Sequence, residues 1–187
     1  MKVLGIMGSP RIKSNTDLLL DEALKGAASA GAEVEKLVID RLNITACKEI
    51  YQCSKDGTCP LRDDMTGLYD KILEADAVIA ASPIFFYTVS AQMMQFISRC
   101  QALWARRYIL KNLDIPLKKG AFIGVGATKG SRLFDGAKLT MKYFFDAINA
   151  EYTGELLIRS VDKKGEILDH PTALADAFTL GKNLVSG

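Results

Sequence analysis

Short apolar runs alternate along this chain with longer stretches whose apolar residues recur at helical spacing, and few folds accept that alternation. Lys2–Met7 is an apolar run on a charged start and reads as a buried strand. Residues 16–30 carry Leu20, Ala23, Leu24 and Ala27 on one helical face, with Gly31 as the stop. Glu33–Ile39 reads as a second strand, and residues 65–75 as a helix capped by Asp63 or Asp64. Ala77–Ala81 is wholly apolar, as a central parallel strand covered on both faces must be. Ser90 caps a predicted long helix to about Tyr108, striped by Met93, Phe96, Ile97, Cys100, Leu103, Trp104 and Tyr108. Strands at 121–126 and 156–161 and helices at 134–150 and 172–185 complete the pattern. Strands alternating with helices form a parallel sheet with helices on both faces. Five of them predict the order 2-1-3-4-5, which places ligands outside the carboxyl ends of strands 1, 3 and 4. The loops after Met7, Ala81 and Gly126 are therefore where function is expected.

The length of 187 residues fits one domain over 1–187, with no repeat or linker to divide it. A 49% hydrophobic and 25% charged composition excludes a disordered tail, a collagen-like rod and a bare coiled coil. With 24 Lys and Arg against 22 Asp and Glu, neither a nucleic-acid binder nor a strongly acidic electron carrier is expected. Four Cys are too few for a disulfide scaffold. The apolar run 3–7 meets Gly8-Ser9-Pro10-Arg11 at once, which leaves no room for a secretory signal, and no window approaches a membrane span. The expectation is a cytoplasmic protein with reduced thiols.

The first loop, residues 8–16, joins a strand to a helix whose N-terminus offers free N–H groups and a partial positive charge. Ser9, Ser14, Asn15 and Thr16 add donors, and Arg11 can grip a phosphate as a fork. The alternative is a plain cap by Ser14 or Asn15 with Arg11 solvated. Neither a P-loop nor a dinucleotide fingerprint is present. The second loop, residues 82–88, sets Ile84, Phe85, Phe86 and Tyr87 at the sheet mouth, which suits a flat apolar ligand or packing against another chain or helix. The third, residues 126–131, is rich in small residues and reads as a strand-to-helix turn that lets backbone approach a ligand.

Together, G-S-P-R-x-x-S-N-T at 8–16 and S-P-I-F-F-Y-T-V-S-A-Q at 82–92 resemble the NADPH-dependent FMN reductase family of flavodoxin-like three-layer sandwiches. The middle segment resembles that family's iron–sulfur flavoprotein branch. The resemblance implies FMN, with its phosphate on Ser9, Arg11, Ser14, Asn15 and Thr16. It implies an isoalloxazine along Pro83, Ile84, Phe85 and Phe86, with Ala127, Thr128 and Gly130 at the other edge. NAD(P)H is the implied electron donor, and a small molecule such as a quinone or flavin the acceptor. The other reading is a non-enzymatic FMN electron-transfer module serving a redox protein. The flavin does the electron chemistry, so no catalytic acid or base is expected. His170, the one histidine, is expected at the surface.

The branch carries C-x2-C-x2-C and a fourth Cys; here the stretch reads Cys47, Ile50, Cys53 and Cys59, followed by Asp63-Asp64-Met65. A four-iron cluster needs four thiolates or a substitute ligand. The expectation is an incomplete site with free thiols and no metal; zinc completed by Asp or water, and a cluster with an unusual fourth ligand, stay open. Cys100 is expected to be a buried structural thiol. The helix at 134–150 shows two apolar stripes, Met141, Phe144, Phe145 and Ile148 against Leu139, Tyr143 and Ala147. One stripe suffices for a sheet, so the second predicts a homodimer or homotetramer unless loops cover it.

Overall fold

The computed structural model describes residues 1–112 and 115–187. Five parallel strands form the sheet: β1 (Lys2–Met7), β2 (Glu33–Val38), β3 (Ala77–Phe85), β5 (Lys118–Val125) and β6 (Ala150–Ile158). Their order is β2-β1-β3-β5-β6, the expected flavodoxin-like arrangement. A sixth, unforeseen strand, β4 (Thr88–Val89), folds back antiparallel on the end of β3. Helices α1 (Asn15–Ser29) and α7 (Ala173–Ser186) cover one face over Val3, Met7, Ile79, Ala81 and Ile123. Helices α3 (Met65–Glu74), α4 (Ala91–Arg99), α5 (Gln101–Tyr108) and α6 (Asp135–Ala147) cover the other over Leu4, Ile6, Val78, Ala80 and Phe122. A single turn, α2 (Cys53–Asp56), lies in the cysteine segment. Among the described residues no helix is long and apolar enough to cross a membrane.

Five expected boundaries differ by three residues or more, or by a break. β5 begins at Lys118 instead of 121, because Lys118 and Lys119 pair with Ala150 and Ala77 of the neighbouring strands although their side chains are charged. β3 continues past Ala81 because Ser82 and Pro83 stay in register with Gly124 and Val125 of β5. The long helix after Ser90 breaks at Cys100, whose N–H bonds back three residues to the Ile97 carbonyl, and α5 starts there. α6 begins at Asp135 and ends at Ala147; Asn149, at φ 57°, turns the chain into β6. β6 therefore starts at Ala150 instead of 156. It is the sheet's edge, with exposed Glu151, Thr153 and Glu155 alternating along it, so its first half lacks the apolar run that marks a central strand.

Two packing features position the functional loops. α1 and α7 touch backbone to backbone: a Cβ on Gly26 would meet the Phe178 carbonyl oxygen at 1.9 Å, and one on Gly181 the Ala23 oxygen at 1.8 Å. On the other face, Arg99 at the end of α4 is buried against Asp63, Nη1 to Oδ2 2.6 Å. Nη1 also donates to the Thr45 carbonyl at 2.8 Å, and Asp63 accepts from the Thr45 N–H at 2.9 Å and the Met65 N–H at 3.1 Å. Asp63 thus serves as the acceptor at the start of α3, as one of the two expected caps. Burial pushes its carboxyl up, but Arg99 and the Thr45 N–H hold it below the ordinary carboxylate range.

Gly181→Ala is expected to lower the unfolding free energy by roughly 1–3 kcal/mol, because backbone cannot yield as a side chain does. Alanine is otherwise the better helix former by about 1 kcal/mol, so a loss in urea titration isolates the close approach. Asp63→Ala leaves Arg99 charged and alone in the interior, and is expected to cost about 3–5 kcal/mol. The pair's stabilisation is present above the unfolded carboxyl pKa of about 4 and fades as pH falls through the lower folded value. Melting temperatures of wild type and Asp63→Ala should therefore converge on acidification.

Candidate functional site

The loop between β1 and α1 is tied down before it reaches any ligand. Gly8 donates its N–H to the Ala81 carbonyl at 2.8 Å, and the Ser90 hydroxyl donates to the Gly8 carbonyl at 2.5 Å. The Ser90 N–H reaches Ser82 Oγ at 2.9 Å, and Ser90 Oγ caps α4 by accepting from Met93. Ser82 and Ser90 are fully buried. A Cβ on Gly8 would meet Met93 Cβ at 2.9 Å, so only glycine lets the loop pass under α4.

Beyond that point the chain turns into a donor-rich nest. Ser14 caps α1, its Oγ accepting from the Asp17 N–H. Ser9 Oγ accepts from the Arg11 N–H at 3.2 Å, which leaves both hydroxyl protons free to donate. Lys13, at φ 53°, aims its N–H at Asp17 Oδ2, 2.7 Å away. The N–H groups of Asn15 and Thr16 donate to no protein acceptor among the described residues, though both residues are buried. Unpaired N–H groups at a helix start, with their partial positive charge, are able to receive an anion. Asp17, the one carboxylate in this turn, is matched by an ion pair with Lys36. Burial works against the Lys36 ammonium, yet bonds from Asp17 and Asp21 hold it above its ordinary range. Asn15's amide is already spent: it donates to the Lys163 carbonyl at 2.9 Å and accepts from the Ile167 N–H at 3.2 Å. Its offer to a ligand is therefore its backbone N–H.

A cavity of about 180 Å³ opens on this nest. It is lined by Ser9, Arg11, Ser14, Asn15 and Thr16 on one side and Pro83, Ile84, Phe85 and Ala127 on the other. Of the sequence-predicted residues, Phe86, Thr128 and Gly130 do not line it. Val161 and Asp162 do, and were not foreseen, because the switch-point rule points to strands 1, 3 and 4 and not to the edge strand. Gly126 explains their presence: its N–H bonds to the Ile158 carbonyl and its carbonyl accepts from the Val161 N–H.

The expected second loop is a tight hairpin. Phe86 and Tyr87 form its two-residue turn with φ of 49° and 64°. Left-handed turns of this kind favour glycine or asparagine, and holding two aromatics there costs of order 1–3 kcal/mol each. Phe85 and Tyr87 are about half exposed, and Phe86 is 100% exposed. The Tyr87 carbonyl sits on Gly136, where a Cβ would approach it to 2.6 Å.

The cysteine segment forms a separate cavity of about 440 Å³ on the α4–α5 side. Cys47, Ile50, Cys53 and Cys59 all line it, with Tyr51, Ser98 and Gln101. Glu49 and Tyr51, at φ 52° and 60°, bracket Ile50. Burial first, then Cys47 and Cys59 nearby, push the Cys53 thiol up. All four cysteines are free, and among the described residues no three Cys, His, Asp or Glu side chains stand so as to hold a metal ion. Cys100 is buried as expected. His170 is half-buried, its Nδ1 accepting from the N–H groups of Thr172 and Ala173 at the start of α7, a structural cap.

An iron–sulfur flavoprotein of Methanocaldococcus jannaschii is 37% identical over 129 residues, covering 69% of this chain and 64% of that protein. One from Methanosarcina thermophila is 28% identical over 186 residues, covering 100% and 90%. The first curated relatives are longer than the match: the chain spans 64% of the Methanocaldococcus protein and 45% of one from Archaeoglobus fulgidus. Among solved structures, an NAD(P)H:quinone oxidoreductase from Methanothermobacter marburgensis superposes with a TM-score of 0.75 at 19% identity, covering 98% of this chain and 96% of that one. Residues 1–150 match the NADPH-dependent FMN reductase family, and the chain belongs to it.

Proposed function

We propose that this protein is an FMN-dependent oxidoreductase that takes electrons from NAD(P)H or a reduced carrier and passes them to a small acceptor. One observation carries the reading: the first turn of α1, whose Asn15 and Thr16 N–H groups have no acceptor among the described residues, shares a cavity with Arg11, the three hydroxyl residues Ser9, Ser14 and Thr16, and Pro83, Ile84 and Phe85. An anion seat beside an apolar wall matches a phosphomonoester on a flat ring system. At about 180 Å³ the cavity is smaller than the roughly 300 Å³ or more that encloses a whole ligand. It therefore suits the phosphate end, leaving the ring to Pro83, Ile84, Phe85 and Phe86 at the open mouth, with Ala127, Thr128 and Gly130 on the other edge. FMN, when bound, supplies the hydride and electron chemistry. The chain's own residues bind and orient: Arg11 and the hydroxyls of Ser9, Ser14 and Thr16 offset the phosphate charge, and the hairpin keeps water from one side of the ring. The names of the relatives support the cofactor, and the quinone oxidoreductase neighbour supports a small acceptor.

We further propose a homodimer or homotetramer. Leu139 and Tyr143 stand exposed on α6, 56% and 62%, while Met141, Phe144, Phe145 and Ile148 are in the core. Ala147, assigned to the outer stripe from sequence, is buried too. Among the described residues no loop covers Leu139 or Tyr143, which supports a second copy of the chain as the cover.

Arg11→Ala is expected to weaken FMN binding by roughly 1.5–3 kcal/mol, the worth of a charge-assisted hydrogen bond. Quenching of FMN fluorescence reads it, with riboflavin as control; riboflavin binding as tightly as FMN would remove the phosphate from the assignment. The double variant Leu139→Glu, Tyr143→Glu is expected to sediment as a monomer where the wild type does not. A monomeric wild type at micromolar concentration would end the oligomer proposal.

A further inference from the structure

We infer that the cysteine loop of this chain, residues 43–64, is closed by protein contacts alone and carries no iron–sulfur cluster, in contrast to what the names of its relatives imply. A cubane of the usual kind is held by four thiolates. Three cysteines line the cavity, and Ile50 presents a branched hydrocarbon to it at the fourth position. The remaining thiol cannot substitute. Cys100 is 1% exposed at the α4–α5 joint, with its Sγ on the Phe96 carbonyl at 3.7 Å. The one histidine caps α7. Asp56 is held by Gln52 and Thr58, and Asp63 by Arg99. Glu49 is the single carboxylate in the lining, and no three ligand groups among the described residues come together to hold an ion.

The second line of argument is what closes the loop instead. A metal that organises a segment supplies that segment's folding energy. Here the two ends of the loop and the turn after α2 have tethers of their own. The Asn43 N–H bonds to Asp64 Oδ2 at 2.7 Å. The Ile44 carbonyl accepts from Gln95 on α4. Thr45 meets both Arg99 and Asp63. The Cys47 N–H reaches Ser98 Oγ at 3.1 Å. Gly57 ends α2 at φ 76°, and its carbonyl accepts from Arg106 Nε at 2.7 Å. Four of these tethers run to α4 or α5, and those of Asn43 and Thr45 to Asp64 and Asp63 close the loop on itself. A thiol takes part only inside the loop, where the Glu49 N–H points at Cys47 Sγ at 3.5 Å. The cavity between them is a thiol-lined pocket in a loop that is already folded.

The test uses the full chain, prepared and reconstituted without oxygen in ferrous iron, sulfide and a thiol reductant, with flavin measured on the same sample. Iron and acid-labile sulfide are expected to stay below one per chain after desalting. Ellman's reagent is expected to reach Cys47, Cys53 and Cys59 in the native protein and Cys100 only after unfolding. The melting temperature is expected to be the same before and after reconstitution. Saturable uptake of iron with matching sulfide, with the three loop thiols protected and the melting temperature raised, would overturn the inference. The flavin count moves independently: loss of FMN with an iron-free loop would refute the flavin assignment and leave this one standing.

Discussion

The site rests on the joint between the ends of β1 and β3. Gly8 gives its N–H to Ala81 and takes the Ser90 hydroxyl on its carbonyl, while Ser90 takes Ser82 through its N–H. These bonds are buried, so breaking one exposes no compensating water and leaves an unpaired polar group. They join two loops that are far apart in sequence at the crevice where the strand order reverses. The donor-rich nest lies on one side of the joint and the aromatic hairpin on the other. Neither has meaning as a binding surface unless the joint fixes their separation.

Much of this was legible in the sequence because the signals were local. Parallel strands buried on both faces are mostly apolar, and β1, β3 and β5 from Gly120 onward are; Gly31 at φ 89° ends α1 where its position suggests. The nest followed from residue types within one loop. What escaped was set by partners distant in the chain. Ser82 and Pro83 read as loop but are strand, because Gly124 and Val125 run beside them. The first half of β6 read as nothing because an edge strand half-faces water. Val161 and Asp162 joined the cavity through Gly126, a contact that no local pattern reveals. Asn15 was seen as a ligand donor, whereas its amide stitches α1 to residues 163–167.

The cysteine segment takes its path from a buried ion pair. The Arg99–Asp63 pair is costly to bury, and Arg99 Nε is a buried polar atom with no hydrogen-bond partner among the described residues. What the pair supplies is direction. A charged fork and a carboxylate with several converging donors fit one another in one way, so the loop that leads into α3 has a single path over α4.

The turn at Phe86 and Tyr87 links two surfaces that the sequence keeps apart. Its strained backbone is propped from below by Gly136, in the first turn of α6, with no side chain between to cushion the contact. The same helix carries Leu139 and Tyr143 outward one turn later. α6 thus has the aromatic hairpin at its tip and the exposed Leu139 and Tyr143 along its outer side. With backbone against backbone at Gly136, a shift of the first turn of α6 would meet no side chain that could absorb it before the Tyr87 carbonyl.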